Sequence, residues 1–262
     1  MRKTIKYLEL DFSSKLEKLD IIPLSCMHIG SPYFNEKKLK GWIKWIAEKE
    51  TRRVWLLGDI FDAILAGSPG NMHEATMSLK DAKLKAEELL KPIVKQIDIV
   101  ISGNHDDRIF NLTSDEIIFD LCKWLGIEDK YHFGDCTGVV RFGKNHGKKD
   151  KPIVYTFYCT HGSGGSATPG GKINRLLKLG DVVDDCDLYV MAHVHDILVA
   201  KLEPFRVDSR NGQLKTVKQT FVTSSSWLDY GGYALSKKYR PGKTGSPRVR
   251  LYGREKDIHI SI

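Results

Sequence analysis

Residues 97–106 read Ile-Asp-Ile-Val-Ile-Ser-Gly-Asn-His-Asp. An apolar run of strand length stops at a glycine and opens onto Asn104, His105 and Asp106, side chains that bind metals or move protons. The same punctuation recurs four times. Residues 21–24 (IIPL) precede Cys26-Met-His28, and residues 52–57 (RRVWLL) precede Asp59-Ile-Phe-Asp62. Residues 153–159 (IVYTFYC) precede His161, and residues 187–191 (DLYVM) precede His193-Val-His195. In open α/β sheets ligands gather beyond the carboxyl ends of strands, so five such ends predict one shared site. Five of the nine histidines fall inside these blocks, a concentration that points to a two-metal hydrolytic centre.

Working outward, the runs alternate with helical periodicity. Residues 36–49 place Leu39, Trp42, Ile43 and Ile46 on one helical face, and residues 74–91 predict a second amphipathic helix stopped at Pro92. Residues 114–125 predict a third, with Ser114 as N-cap and Gly126 closing it. Beyond Gly126 the text becomes strand-rich, near 131–142, 153–159, 187–191, 197–203 and 216–222, with a helix near 171–179. The expected fold is a four-layer α/β/β/α sandwich of two mixed sheets in a single domain over residues 1–262. The motif core spans about 20–200, and the basic segment 204–262 completes a sheet. Trp42, Trp45, Trp55 and Trp124 read as core residues. Residues 236–247 read as a loop.

Composition narrows the class. With 41% hydrophobic and 28% charged residues the chain has the balance of a soluble protein, and no apolar run reaches the ~20 residues that span a bilayer. The basic N-terminus has no apolar core of the kind a signal peptide needs, so the expectation is a cytoplasmic protein without membrane contact. Five scattered cysteines without a C-x-x-C pair argue for a reducing compartment; Cys122, Cys136, Cys159 and Cys186 read as buried thiols. The net charge of +8 favours an anionic partner, nucleic acid or another phosphate compound. Basic residues crowd the last 26 positions and a turn carrying Lys144, Lys148, Lys149 and Lys151. No aromatic platform is interleaved convincingly with them.

Two divalent cations held side by side clamp a phosphate and activate water for in-line attack. Such a centre needs one short bridging carboxylate and several neutral nitrogen donors. Asp59, after Gly58, suits the bridge because glycine lets the backbone turn tightly beside the metals. Asn104, His161 and His193 supply one neutral cluster, His28 and His195 part of the other.

Taken together, Cys26-x-His28, Gly58-Asp-x-x-Asp62, Gly103-Asn-His-Asp106, His161 and Ala192-His-x-His195 resemble the ordered motifs of the calcineurin-like metallophosphoesterases. In length and in the run Gly30-Ser-Pro-Tyr-Phe34 the chain looks closest to small phage or bacterial members. The resemblance implies two divalent metal ions, Mn first, with Zn, Fe or Ni as the others. One ion falls to Cys26, His28, Asp59 and His195; the other to Asp59, Asn104, His161 and His193. It implies His105 as the leaving-group acid with Asp106 orienting its imidazole, and Asp62 as a partner behind a metal-bound histidine. Arg108 and His73 are the candidates for substrate contact. The glycine-rich turn after His161 is a candidate phosphate cradle.

The chain departs from the family pattern twice. Ala192 replaces a glycine, with little expected consequence. Cys26 replaces an aspartate, and two readings stay open: a thiolate that keeps the charge and favours softer metals, or a thiol that leaves the first site weak or empty. Three functions stay open as well. A phosphodiesterase, with DNA or RNA among its candidate substrates, is preferred to a phosphomonoesterase and to a catalytically impaired binding protein.

Overall fold

The computed structural model describes residues 3–65, 72–143 and 151–262. Its first sheet runs β14-β13-β2-β3-β4-β5, where β2 is Lys18–Leu24, β3 Arg52–Leu57, β4 Ile97–Ile101, β5 Tyr131–His132, β13 Arg248–Tyr252 and β14 Ile258–Ser261. The second runs β1-β6-β7-β8-β12-β9, with β1 Thr4–Phe12, β6 Gly134–Phe142, β7 Ile153–Thr160, β8 Leu188–Met191, β9 Val199–Leu202 and β12 Gln219–Thr223. A separate hairpin pairs β10 (Phe205–Asp208) with β11 (Gln213–Thr216).

Strand periodicity sorts the core into layers. Along β2 and β3, Ile22, Leu24, Val54 and Leu56 face helices α1 (Glu36–Ala47), α2 (Leu79–Leu90) and α4 (Ile117–Leu125), whose buried stripes complete that cluster. The alternate residues Leu19, Ile21, Trp55 and Leu57 meet Cys136, Val140, Phe157, Leu188 and Val222 between the sheets. On the far face, Tyr158, Tyr189 and Phe221 pack against Leu176 of α5 (Pro169–Leu177) and Leu179 of α6 (Leu179–Val182). The result is the four-layer α/β/β/α sandwich. Among the described residues no helix is long and apolar enough to cross a membrane.

Several local expectations are corrected. The second helix begins at Leu79, capped by Ser78, instead of at residue 74. Ser114 ends α3 (Asn104–Thr113) in a left-handed conformation at φ 61 rather than opening α4. Serine serves both kinds of cap, and adjacent helices share the signal. Trp124 is 46% exposed, while Trp55 is fully buried and Trp42 and Trp45 pack partly against the helix-side core. The C-terminal segment divides its strands: β12 joins the second sheet, while β13 and β14 extend the first. The N-terminal stretch, unassigned in the sequence reading, is strand β1, parallel to β6. Lys144, Lys148 and Lys149 of the basic turn lie outside the described residues. A short helix α7 (Gly232–Ser236) precedes the loop expected over 236–247.

Candidate metal centre

All five blocks lie just past the carboxyl ends of β2, β3, β4, β7 and β8, strands that run parallel to their neighbours within this group. The loops after β2 and β3 are stitched together. Cys26 donates its N–H to the Gly58 carbonyl at 2.9 Å, and His28 donates to the Asp59 carbonyl at 3.1 Å. Gly58, at φ +78, packs back to back with Gly103; a Cβ on it would lie 2.3 Å from the Gly103 nitrogen. A Cβ on Gly103 would in turn meet Asp59 at 2.3 Å and His161 at 2.8 Å. Only paired glycines let the β3 and β4 loops approach so closely.

Nine non-glycine residues among those described have positive φ, and five of them are Cys26, His28, Asp59, His193 and His195. For side chains other than glycine this conformation costs about 1–2 kcal/mol each, and it is kept where surrounding structure holds it. Its concentration on candidate ligands marks this pole as a built site.

The side chains converge. Metal-binding atoms of Cys26, His28 and His195 lie within 4.8 Å of one another, as do those of Cys26, Asp59 and His161 and those of His28, Asp59 and His105. His28 Nε2 faces His195 Nε2 at 3.3 Å. Asp59 Oδ2 is 3.1 Å from His161 Nε2 and 3.9 Å from His28 Nε2, between the two groups as a bridge requires. Asn104 Oδ1 stands 3.1 Å from the same His161 nitrogen. The His193 ring meets His161 edge-on at 5.3 Å.

The imidazoles are aimed from behind. His161 Nδ1 donates to the Leu57 carbonyl at 2.6 Å and His193 is bonded to the Gly164 backbone, whereas His28 Nδ1 lies 3.3 Å from Asp62 Oδ1 without a hydrogen bond. Nε2 of His161 and of His28 face the centre, the arrangement in which histidine ligates a cation. Asp62 stands beside His28, its carboxylate near the ring but not bonded to it.

Electrostatics keep the nitrogen donors mostly neutral. Burial, then His28, pushes His195 well below the ordinary histidine range; burial, then His161, lowers His193 to about 4. Burial works to raise Asp59, but His161, His105 and His28 outweigh it and hold this carboxyl well below its usual value. His161 shows the reciprocal balance: burial lowers it, but Asp59 raises it more. Burial, then the Asp59 charge, pushes up the Cys26 thiol. Without a cation Cys26 is therefore a protonated thiol, and a metal would bind it by displacing that proton.

One sequence expectation changes around His105. Asp106 does not orient its imidazole: the buried carboxylate accepts N–H groups from Asp59 at 2.7 Å, Gly103 at 3.0 Å and Phe61 at 3.3 Å. At the N-terminus of α3 the side chain turns back onto the preceding loop and caps it. The orienting partner is Asp62, whose carbonyl lies 2.5 Å from His105 Nδ1. Arg108 is drawn into the site, with guanidinium nitrogens 3.3 Å from both ring nitrogens of His105. Burial, then His28 and Arg108, lowers His105 to about 4, so it is neutral at pH 7 until an anion arrives. His73 is exposed in the turn Met72–Glu74 and belongs to none of the converging groups. The glycine-rich turn is clamped by Arg175, which donates to the carbonyls of Ser163 at 3.1 Å and Gly165 at 3.0 Å.

Sequence reasoning missed the loop Thr223-Ser-Ser-Ser-Trp227. All five residues are buried, and the Trp227 N–H donates to the Cys26 carbonyl at 3.0 Å while the Ser224 N–H donates to Met191 at 2.8 Å. The loop ties the end of β8 to the end of β2. Its signal was slight: residues 219–223 (Gln-Thr-Phe-Val-Thr) are strand-forming but only Phe221 and Val222 are apolar, and they stop at small polar residues with no ligand type among them.

The donor set fits a pair of divalent cations: one carboxylate placed to bridge, neutral nitrogens and an amide oxygen around it, and a thiol on one side. Comparisons with solved structures return distant likenesses. A metallophosphoesterase from Sphaerobacter thermophilus is 11% identical, with 92% of this chain and 86% of that one covered and a TM-score of 0.43. A conserved uncharacterised protein of Streptococcus pneumoniae TIGR4, described as a predicted phosphoesterase, is 10% identical over 93% and 98% at a TM-score of 0.32. GAP50, the anchor in the inner membrane complex of Plasmodium, is 9% identical over 93% and 88% at 0.43. No curated protein sequence matches. The profile of the calcineurin-like phosphoesterases, however, matches residues 20–197, which include every converging side chain, and the chain belongs to that family.

Proposed function

We propose that this metal-dependent phosphoester hydrolase is a phosphodiesterase working with two divalent cations. The observation that carries the two-cation reading is the pair of nitrogen clusters on either side of Asp59, with His28 and His195 on one side and His161 on the other. Cys26, His28, Asp59 and His195 would hold the first cation; Asp59, Asn104, His161 and His193 the second. When bound, the cations supply charge neutralisation for the phosphate and a water-derived nucleophile. His105 delivers a proton to the departing oxygen. The anionic substrate raises its basicity from the resting value, and the Asp62 carbonyl fixes which nitrogen is free. Arg108, beside His105, steadies a phosphate oxygen. Asp106 holds the loop that carries Asp59. Cys26 ligates as thiolate. Manganese is the expected native metal, and the thiol gives zinc and iron more purchase than an aspartate would.

The diester preference rests on charge. The net charge of +8 suits a polyanionic substrate better than a small monoester. The deciding assay compares metal-stripped protein reloaded with Mn, Zn, Fe, Ni or Mg on bis-p-nitrophenyl phosphate and p-nitrophenyl phosphate. Expected is turnover of both with a higher kcat/KM on the diester. No turnover with any cation would sink the hydrolase reading, and a monoester preference would sink the diesterase. Cys26→Asp, with metal content measured alongside, is expected to keep two cations per chain and to lower activity with zinc and iron relative to manganese. A gain from one cation to two would show that Cys26 does not ligate.

A further inference from the structure

Two cavities flank α1 and β13 away from the metal centre, one of about 420 Å³ and the other of about 390 Å³, and both are lined by Arg248. The first contains Trp42, Trp45 and Lys243; the second contains Lys15, Lys18 and Lys49. The two acids of the second cavity are engaged elsewhere. Asp20 accepts both nitrogens of Arg250, at 2.7 and 3.1 Å, and Glu17 is paired with Arg254. Among the described residues Lys15, Lys18, Lys49, Lys243 and Arg248 form no ion pair within 4.0 Å, although the protein makes many such pairs elsewhere. Arg248 carries a further mark: one guanidinium nitrogen bonds Ser261 at 3.0 Å, while its Nε is buried without a partner.

The cavities connect to the active pole. Ile197, two residues after His195, lines the first, and Gly242 next to Lys243 packs so closely that a Cβ on it would lie 2.5 Å from the His195 carbonyl. From there β2 runs down to Lys18, seven residues or ~23 Å. Uncompensated cations beside indole rings along such a path match the chemistry of a single-stranded polynucleotide, whose phosphates need positive charge and whose bases need flat apolar surface. Half-buried Trp42, in edge-to-face contact with Trp45 at 5.5 Å, supplies that surface, and Trp45 adds the ring face that the Arg52 guanidinium, 3.8 Å over the other, leaves open. A free nucleotide would fill only one of the cavities.

We propose that the belt from Lys243 through Trp42, Trp45 and Arg248 to Lys18 and Lys49 binds single-stranded nucleic acid and leads it to the metal centre. The purpose of the belt rests on the diesterase reading; its existence as a binding surface does not. The test is fluorescence anisotropy of a labelled eight-residue oligothymidylate with metal-free full-length protein. Three to four phosphate contacts predict a loss of affinity of about 20- to 50-fold between 50 and 200 mM salt. The triple variant Lys18→Glu, Lys49→Glu, Lys243→Glu is expected to bind at least ~30-fold more weakly. A control reversal of equal charge on the outer helices, Lys37→Glu, Lys80→Glu, Lys123→Glu, is expected to lose under ~5-fold, and equal losses in the two variants would overturn the belt. Absence of oligonucleotide binding, or binding of phosphatidylserine vesicles in its place, would overturn it too. Turnover of bis-p-nitrophenyl phosphate reads the other hypothesis separately. If it is absent while the triple variant loses the oligonucleotide, the diesterase fails and the belt stands.

Discussion

His105 and Asp106 are neighbours in sequence with opposite tasks. Asp106 is buried against three backbone N–H groups and holds the loop of the bridging Asp59, while His105 turns outward to Asp62 and Arg108. The motif Asn-His-Asp announced the residues but not this division. Which way a side chain leaves the first turn of a helix depends on the loops packed against it, and those come from elsewhere in the chain. A proton donor matters only when the departing oxygen is a poor leaving group. His105→Asn is therefore expected to lower kcat on a dinucleotide, which releases an alkoxide, by about 10²- to 10⁴-fold. Turnover of bis-p-nitrophenyl phosphate, which releases a stabilised phenolate, should fall less than ~10-fold. Equal losses on both esters would remove His105 from the role of acid.

At the scale of elements, the strand ends were legible because each couples two signals: an apolar run and a ligand block. The bracing around them was not. Pro23 sits in β2, where β13 no longer pairs, so its missing N–H leaves no gap in the ladder. Its carbonyl is taken by two hydroxyls from distant loops, Ser224 Oγ at 2.5 Å and Ser246 Oγ at 2.9 Å. No periodicity reveals a bond across more than 200 residues. Because either serine alone satisfies the carbonyl, Ser224→Ala and Ser246→Ala are each expected to cost about 1 kcal/mol, and the double variant about 3 kcal/mol. Urea unfolding checks this, and strict additivity would show that the two bonds are independent. The β1 strand escaped notice for a related reason. As an edge strand it is largely exposed and carries Lys6, Glu9 and Asp11, so its alternation resembles a charged leader more than core.

For the whole molecule, the crowding of imidazoles has a cost that depends on pH. In metal-free protein His105 and His193 titrate near 4 and burial, then His28, holds His195 well below the ordinary histidine range, against ~6.5 in the unfolded chain. Between these values the unfolded chain binds more protons, so this part of the stability is present above pH ~6.5 and is lost as pH falls towards 4. Asp106, raised to about 7 by burial and then Asp59, works in the other direction. The raised Asp98 and His161 work with Asp106, and the lowered Asp59 works with the three histidines, so the net sign follows the histidines. Urea midpoints of metal-free protein should correspond to about 2 kcal/mol less stability at pH 4.5 than at pH 6.5. An unchanged or higher midpoint at pH 4.5 would show that the rings are already protonated in the fold.

The left-handed backbone beneath Cys26, His28, Asp59, His193 and His195 reaches beyond chemistry. In a short peptide each of these residues would relax into an ordinary extended or helical turn, and its donor atom would swing away from the others. A motif copied onto another scaffold would carry the ligands without their aim. Cation capture is thus a property of the finished topology and belongs to the last stage of folding, after β2, β3, β4, β7 and β8 have lined up their ends. Read in reverse, a chelator removes the clasp from the most tightly wound part of the chain. Hydrogen exchange after chelation is therefore expected to quicken first at the loops carrying these five residues, while the strands beneath stay protected.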